Sequence, residues 1–287
     1  MIEAVQDVKA MRGGAQSRMM RCDDGHFYVV KFQNNPQHPR VLANDFFGTR
    51  LAAQLGLPVP EVAPIHVGEP LVENTRALTM HVGNHEVRCA AGLHFGSRWV
   101  VDPQQGQVLD YLPEDLMVEV KNRDDFAGAL VFDKWTCNAD GRQVAYSRLR
   151  CHKKYSATFI DQGYCFNAAE WSFVDAPLRG IFVNNSVYVG ITGWESFEPW
   201  ITLAEQMSSE TIARCTKGIP LEWCGNDRFG LELLVDELSK RKKKIRRLID
   251  DFRRSSRMPF PHWRERESCT VPLTWASPGR IAAMGWA

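Results

Sequence analysis

Four short, widely separated segments constrain this chain more than anything else in it: Gly13-Gly14-Ala15-Gln16, Lys31 inside an apolar strand pattern, Asn138-Ala139-Asp140, and Asp161-Gln162-Gly163 closing an apolar run. Singly, each has an ordinary explanation. A glycine pair makes turns, a strand lysine snorkels at an edge, and an Asp before a Gly marks a tight bend. In this order they supply close-approach backbone, a cation and two carboxylates. Phosphoryl transfer asks for those parts, because it depends on positioning and charge stabilisation more than on covalent help from protein.

The chain has room for such a site. Its 287 residues suffice for two domains or one two-lobed unit, and 44% apolar with 24% charged residues is the balance of a folded globular protein. A formal charge of +1 and a pI near 7.6 exclude the overall basic field of a dedicated nucleic-acid binder. Met1-Ile2-Glu3-Ala4 starts no basic and apolar leader, and no stretch reaches the ~20 apolar residues that span a bilayer, so a cytoplasmic protein without a membrane partner is expected. The eight cysteines (Cys22, Cys89, Cys137, Cys151, Cys165, Cys215, Cys224, Cys269) form no C-x-x-C, which points to reduced thiols filling core space and away from zinc.

Along the chain, His26 to Phe32 alternates as a strand behind the turn Asp23-Asp24-Gly25, the second arm of a hairpin. Leu42, Phe46, Leu51 and Leu55 predict a helix from Arg40 to Leu55, stopped by Gly56. Leu57-Pro58-Val59-Pro60 forces extended backbone into a strand over Glu61 to Val67. The pattern weakens between about Val82 and Leu112, where a hinge or lobe connection is expected. A helix from Asp124 to Trp135, strands over Val144–Leu149 and Tyr155–Ile160, and short helices over Pro199–Gln206 and Ser209–Lys217 follow. One apolar stripe from Leu231 through Leu238 and Ile245 to Phe252 predicts a single helix from Arg228 to about Arg254. Its cations (Lys240 to Lys244, Arg246, Arg247, Arg253, Arg254) are expected to point outward as a solvated face, with nucleic acid an unfavoured partner. Beyond Met258, Trp263, Trp275 and Trp286 are expected to anchor an irregular tail.

Period two places Lys31 on the face of Phe27 and Val29, where an unpaired ammonium would be costly; Asp45, on the following helix, is the acid available to pair with it. Asp133, Asn138, Asp140 and Gln143 crowd a helix end with more polar groups than capping requires. Asp161 ends a buried strand, where a metal ligand belongs.

The series Gly-Ala-Gln, Tyr28-Val29-Val30-Lys31-Phe32, Leu55-Gly56-Leu57-Pro58-Val59-Pro60, Phe132-Asp133-Lys134-Trp135 with Asn138-Ala139-Asp140, and Phe159-Ile160-Asp161-Gln162-Gly163 resembles the HipA-like kinases from about Arg12 to Asn167. The resemblance implies an α+β, two-lobed protein-kinase-like fold related to the lipid kinases, with ATP and Mg2+ as cofactors. A strand-rich N-lobe over 1–100 and a mainly helical C-lobe over 101–287 are expected. Gly13, Gly14, Ala15, Gln16 and Ser17 would cover the phosphates, Lys31 would contact them, Asp140 would be the catalytic Asp and Asp161 the metal ligand. Two positions depart from the family pattern: Ala145 stands where a metal-binding Asn is usual, and Asp45 where Glu is usual. Asn138 or Gln143 could replace the missing amide, and an alternative register makes Asp133 and Asn138 the Asp-x-x-x-x-Asn pair. Asp140 and Asp161 are expected to converge on one metal-phosphate site. The leading expectation is ATP-dependent phosphorylation of Ser or Thr in a protein substrate. A nucleotide-binding pseudokinase and a nucleic-acid binder using the basic helix are the alternatives.

Overall fold

The computed structural model describes residues 1–265. In chain order its elements are β1 (Ile2–Ala10), β2 (Arg18–Cys22), β3 (Phe27–Lys31), α1 (Arg40–Gln54), β4 (Val62–Val67), α2 (Glu69–Asn74), β5 (Thr79–Val82), β6 (His85–Arg88), β7 (Gly92–Arg98), β8 (Gly106–Leu109), α3 (Asp125–Thr136), β9 (Gln143–Leu149), β10 (Ser156–Ile160), α4 (Trp200–Gln206), α5 (Ser209–Cys215), α6 (Arg228–Arg241) and α7 (Ile245–Arg253). The fold is α+β and two-lobed, with a strand-rich first lobe and a second lobe in which helices predominate.

The first lobe is a closed barrel in the order β1-β2-β3-β7-β4, sealed by parallel pairing of Ile2 with Ile65. Alternation decides its inside: Met20, Cys22, Tyr28, Val30 and Ile65 fill it, with Leu78 and Met80 closing one end. The same alternation turns Lys31 away from that core, toward α1.

Much of the hinge or lobe connection expected over 82–112 is built as strands, with the connection itself confined to the residues between β7 and β8. β5, β6, β7 and β8 occupy the region, and β7 is an inner strand bonded on both sides, to β3 and β4. Its sequence, Gly92-Leu-His-Phe-Gly-Ser-Arg98, lacks the β-branched signature, and at Gly96 a neighbour comes too close for bulk. A Cβ on Gly96 would lie 2.2 Å from Ile65 Cγ1. His94, fully buried, accepts from the Gln33 N–H through Nδ1 (3.1 Å) and donates from Nε2 to the Ala90 carbonyl (2.8 Å).

In the second lobe, β10-β9-β8 form an antiparallel sheet packed on the helices. Nearly every residue of α3 is buried, and Gly128 lets that helix meet Trp200, whose ring would be 2.4 Å from an added Cβ. The single terminal helix of the sequence reading is two, α6 and α7, joined by a 3-10 turn at Lys242–Lys244. The apolar stripe survives the break: Leu234, Val235, Leu238, Ile245, Leu248, Ile249 and Phe252 are all buried.

The cations of this segment do not all point outward. Arg241 is buried, donates to the Lys134 and Trp135 carbonyls and pairs with Asp175 at 2.5 Å. Arg246 pairs with Glu198 and Glu205, Arg247 with Asp175, and Lys242 donates to the Met207 carbonyl. Trp263 packs edge-on to Trp194 (5.3 Å) as an anchor; Trp275, Trp286 and Cys269 lie outside the described residues. Six of the described cysteines are buried free thiols, and Cys151 is exposed. Among the described residues no helix is long and apolar enough to cross a membrane.

Burial pushes His94 down to about 4. A histidine neutral in the fold and charged when unfolded stabilises above its unfolded pKa, and that contribution is lost as pH falls from about 6.5 toward 4. The stability gap between wild type and His94→Gln, measured by urea unfolding, is therefore expected to shrink by about 3 kcal/mol from pH 7 to pH 4.

Candidate active site

Lys31 ends β3 with its Nζ 2.7 Å from Asp45 Oδ2 on α1 and 2.8 Å from Asp161 Oδ1, just beyond β10. Burial works against the ammonium, but Asp161 and Asp45 outweigh it and hold Lys31 protonated well above the usual lysine range. Asp45 is the more deeply buried acid, and burial pushes it up to about 6 despite Lys31. For Asp161 burial also favours the neutral acid, yet Lys31, then Arg142 and the Gly163 N–H, keep its carboxyl below the ordinary range. Its side chain is 26% exposed, so it faces both the buried lysine and solvent.

Two glycines let the shorter acid at position 45 reach. A Cβ on Gly163 would lie 2.5 Å from Val41 Cγ1 and 3.0 Å from Asp45 Oδ2, and one on Gly48 would lie 2.8 Å from Gln162 Cβ. The loop after β10 therefore presses directly onto α1, and Asp45 Oδ1 accepts the Gln162 N–H at 2.7 Å. Asp161 itself has φ of 59°, a left-handed conformation that an Asp adopts at some cost and that is frequent at functional sites.

From Gln162 a buried polar chain continues to the end of α3. Arg142 donates to Gln162 Oε1 (2.6 Å) and to the Ile160 carbonyl (2.7 Å), and grips both oxygens of Asp133 at 2.9 and 2.5 Å. Asn138 Nδ2 donates to Asp133 Oδ1 (2.9 Å), and Asn138 Oδ1 accepts the Asp140 N–H (3.1 Å). Main-chain bonds join the same segments: Ala139 N–H to the Tyr164 carbonyl and Asn167 N–H to the Cys137 carbonyl.

These contacts sort the expected site residues. Asp140 is exposed at the end of the chain of bonds, its Oδ1 accepting only from Gly141 N–H among the described contacts. Asp133 is buried, with both oxygens bonded to Arg142 and one also to Asn138, and is the counterion of Arg142. Asn138 is buried too, and its oxygen is already engaged. Gln143 is exposed, paired in register with Ile160 next to Asp161, while Ala145 is buried opposite Thr158. Asp140 and Asp161 meet through Asn138, Asp133, Arg142 and Gln162, with no direct bond between them in the structure.

The glycine loop sits beside this cluster. Gly13 and Gly14 are exposed, Ala15 and Ser17 are buried, and Gly13 has φ of 119°, open to glycine. Gln37 lies against Gly14 and donates to the Tyr164 hydroxyl at 3.1 Å, linking the loop to the segment after Asp161. Gln16 does not aim its amide at a ligand: Nε2 donates to the His81 carbonyl (2.7 Å) and Oε1 accepts the His81 N–H (2.8 Å). It fastens the loop to β5. A separate cavity of about 520 Å3 lies where the lobes connect, lined by Phe27, Pro60, Trp99, Val101 and Thr158 among others, and does not include Lys31 or Asp161.

Arg142, Gln37, Tyr164 and Asn44 carry no role in the sequence reading. Arg142 was visible only as a cation two residues after Asp140; Asn44 was visible as an amide in mid-helix beside Asp45, where an exposed position explains it equally well.

A barrel lobe over a helical lobe, with a buried lysine held between a helix acid and an Asp that ends a strand, is the architecture of the kinase-type phosphotransferases. Residues 2–177 match the HipA-like kinase family, and the chain belongs to it. Its fold is similar to that of the Helicobacter pylori proinflammatory kinase CtkA, at 14% identity over 84% of this chain and 94% of that one, with a TM-score of 0.54. It is also similar to hydra Fam20, solved with sugar, at 13% identity over 88% of this chain and 86% of that one, with a TM-score of 0.51. No curated protein sequence matches it.

Removing one partner of a buried ion pair strands the other charge. Arg142→Ala is expected to lower unfolding stability by about 3–5 kcal/mol in urea. Asp140→Ala, at an exposed position, should change it by less than about 0.5 kcal/mol.

Proposed function

We propose that this chain transfers the γ-phosphoryl group of ATP to a serine or threonine hydroxyl of a protein substrate, in the cytoplasm, with Mg2+ as the metal. The observation that carries the reading is Lys31 held between Asp45 and Asp161 beside the exposed glycine loop. The lobes are taken to divide near residue 100, after β7.

The donor set fits the cofactors. Among the described residues no group of three or more His, Cys, Asp or Glu side chains could hold a metal ion. A magnesium site built from one or two carboxylates, phosphate oxygens and water needs no such cage. Asp161, ionised and partly open to solvent, would hold the metal, and the exposed Gln143 is the amide best placed to stand in for the family Asn at Ala145. Lys31 and the backbone of Gly13 to Ser17 would hold the phosphates. Bound Mg2+-ATP supplies the phosphoryl group and neutralises charge developing on its oxygens. Asp140, tethered through its N–H to Asn138, would orient the acceptor hydroxyl and take its proton. Arg142, Asp133 and Asn138 keep the loop of Asp140 in register with that of Asp161.

Ala145 supports a second reading, a nucleotide-binding pseudokinase. Nucleic acid is disfavoured as a partner because the acids of neighbouring elements already engage Arg241, Arg246 and Arg247.

Transfer of labelled phosphate from ATP to the chain or to added proteins separates the first two readings. Asp161→Ala is expected to abolish magnesium-dependent nucleotide binding measured by calorimetry. Asp140→Ala should still bind nucleotide while transfer falls about 10²- to 10⁴-fold. Binding without transfer by the wild type would select the pseudokinase.

Asp45 gives a pH signature. Burial raises its carboxyl to about 6, and a proton taken up there would remove its ion pair with Lys31. Phosphotransfer is expected to fall as pH drops through about 6, and Asp45→Asn should be low with that step missing from its pH–rate profile.

A further inference from the structure

Asn44 precedes Asp45 on α1, is 1% exposed, and uses both ends of its amide on the segment that follows Asp161. Its Nδ2 faces the carbonyls of Gly163 (2.9 Å), Cys165 (3.2 Å) and Ala168 (2.8 Å), and its Oδ1 accepts the Trp171 indole N–H (2.8 Å). Three carbonyls on one side and an N–H on the other fix which way the amide points.

That segment needs holding. Phe166, Asn167 and Ala168 have φ of 59°, 59° and 57°, and Trp171 has φ of 48°. Left-handed conformations at non-glycine residues cost energy and persist only where the surroundings over-determine them. Asn44 lies at the centre of those surroundings. Arg40, one turn earlier on α1, adds to the grip by donating to the Ala169 carbonyl (2.8 Å) and stacking 4.2 Å from the Trp171 ring centroid. Asp45, the next residue, holds the other end of the segment through Gln162 N–H and, through Lys31, Asp161.

We propose that Asn44 is a positioning residue for phosphoryl transfer: it locks the strained segment after Asp161 onto α1, so that the helix acid and the metal-binding Asp take up their places as one unit. The inference rests on the phosphotransferase reading above. It makes α1 a fixed wall of the site, since moving the helix would strip several buried carbonyls of their donor at once.

The test compares the full-length wild type with Asn44→Asp and Asn44→Leu. In Asn44→Leu, kcat is expected to fall on the order of 100-fold, the cost of a small misplacement of reacting groups, while KM for ATP shifts by about threefold or less. Asn44→Asp turns a carboxylate toward three carbonyls; protonation restores one donor, so its rate relative to wild type should recover as pH falls, and that of Asn44→Leu should not. Amide hydrogen exchange over residues 163–171 reads the lock without chemistry and should quicken in both variants while β9 is unchanged. Wild-type kcat in Asn44→Leu, or unaltered exchange over 163–171, overturns the proposal. Should Asn44→Leu fail to fold, Asn44→Ser removes the same donors and carries both readouts. Should the wild type transfer no phosphate, the functional reading falls and the exchange result alone decides the role of Asn44.

Discussion

A single ammonium in a nearly dry place organises this molecule. Lys31 has little contact with solvent, so its charge is tolerable only while two carboxylates stay within hydrogen-bonding distance of it. Those carboxylates come from α1 and from the loop after β10, more than a hundred residues apart in the chain. The desolvation cost of the lysine thus becomes a constraint on how barrel, helix and second lobe meet, and the glycines at 48 and 163 are where the backbone yields to satisfy it.

The same economy of charge extends across the cleft floor. Arg142 pairs with Asp133 through Nε and Nη2 and spends Nη1 on the Ile160 carbonyl and Gln162. A guanidinium suits this place because its planar fork can bond a carboxylate with two donors and still direct a third elsewhere. The result is a stiff mount for two loops, one ending in the exposed Asp140 and the other in Asp161, which is paired with Lys31. Rigid support beneath solvent-reaching carboxylates is the arrangement expected where geometry, and not covalent chemistry, sets the rate.

Much of this was legible in the sequence because it is written in local pattern. The β2–β3 turn, α1, α3 and β10 follow from periodicity and capping, and the pairing of Lys31 with Asp45 follows from a cation on an apolar strand face beside a helix that offers one acid. What stayed hidden depends on contacts between distant segments. β7 looks like a hinge or connection because Gly96 and the buried His94 are chosen for what lies against them, Ile65 and the Ala90 carbonyl, and not for strand propensity. Asp133 and Asp140 are chemically alike in the sequence, and only Arg142 tells them apart. The basic run was half legible: the apolar stripe fixed which side of α6 and α7 is buried, but Arg241 goes inward to reach the carbonyl end of α3, a choice no charge count reveals.

The closed barrel also bears on how the chain comes together as it is made. β1, β2 and β3 can pair with one another as soon as they exist, but β4 completes the ring only through β1 on one side and β7 on the other. The roof of the site therefore stays an open, unfinished sheet until Arg98 is available, with β3 and β4 holding bare edges for β7. Non-local parallel pairing is slow, and exposed edges invite the wrong neighbour. The strand edges that an unfinished barrel offers to other chains are removed only when β7 slots between β3 and β4.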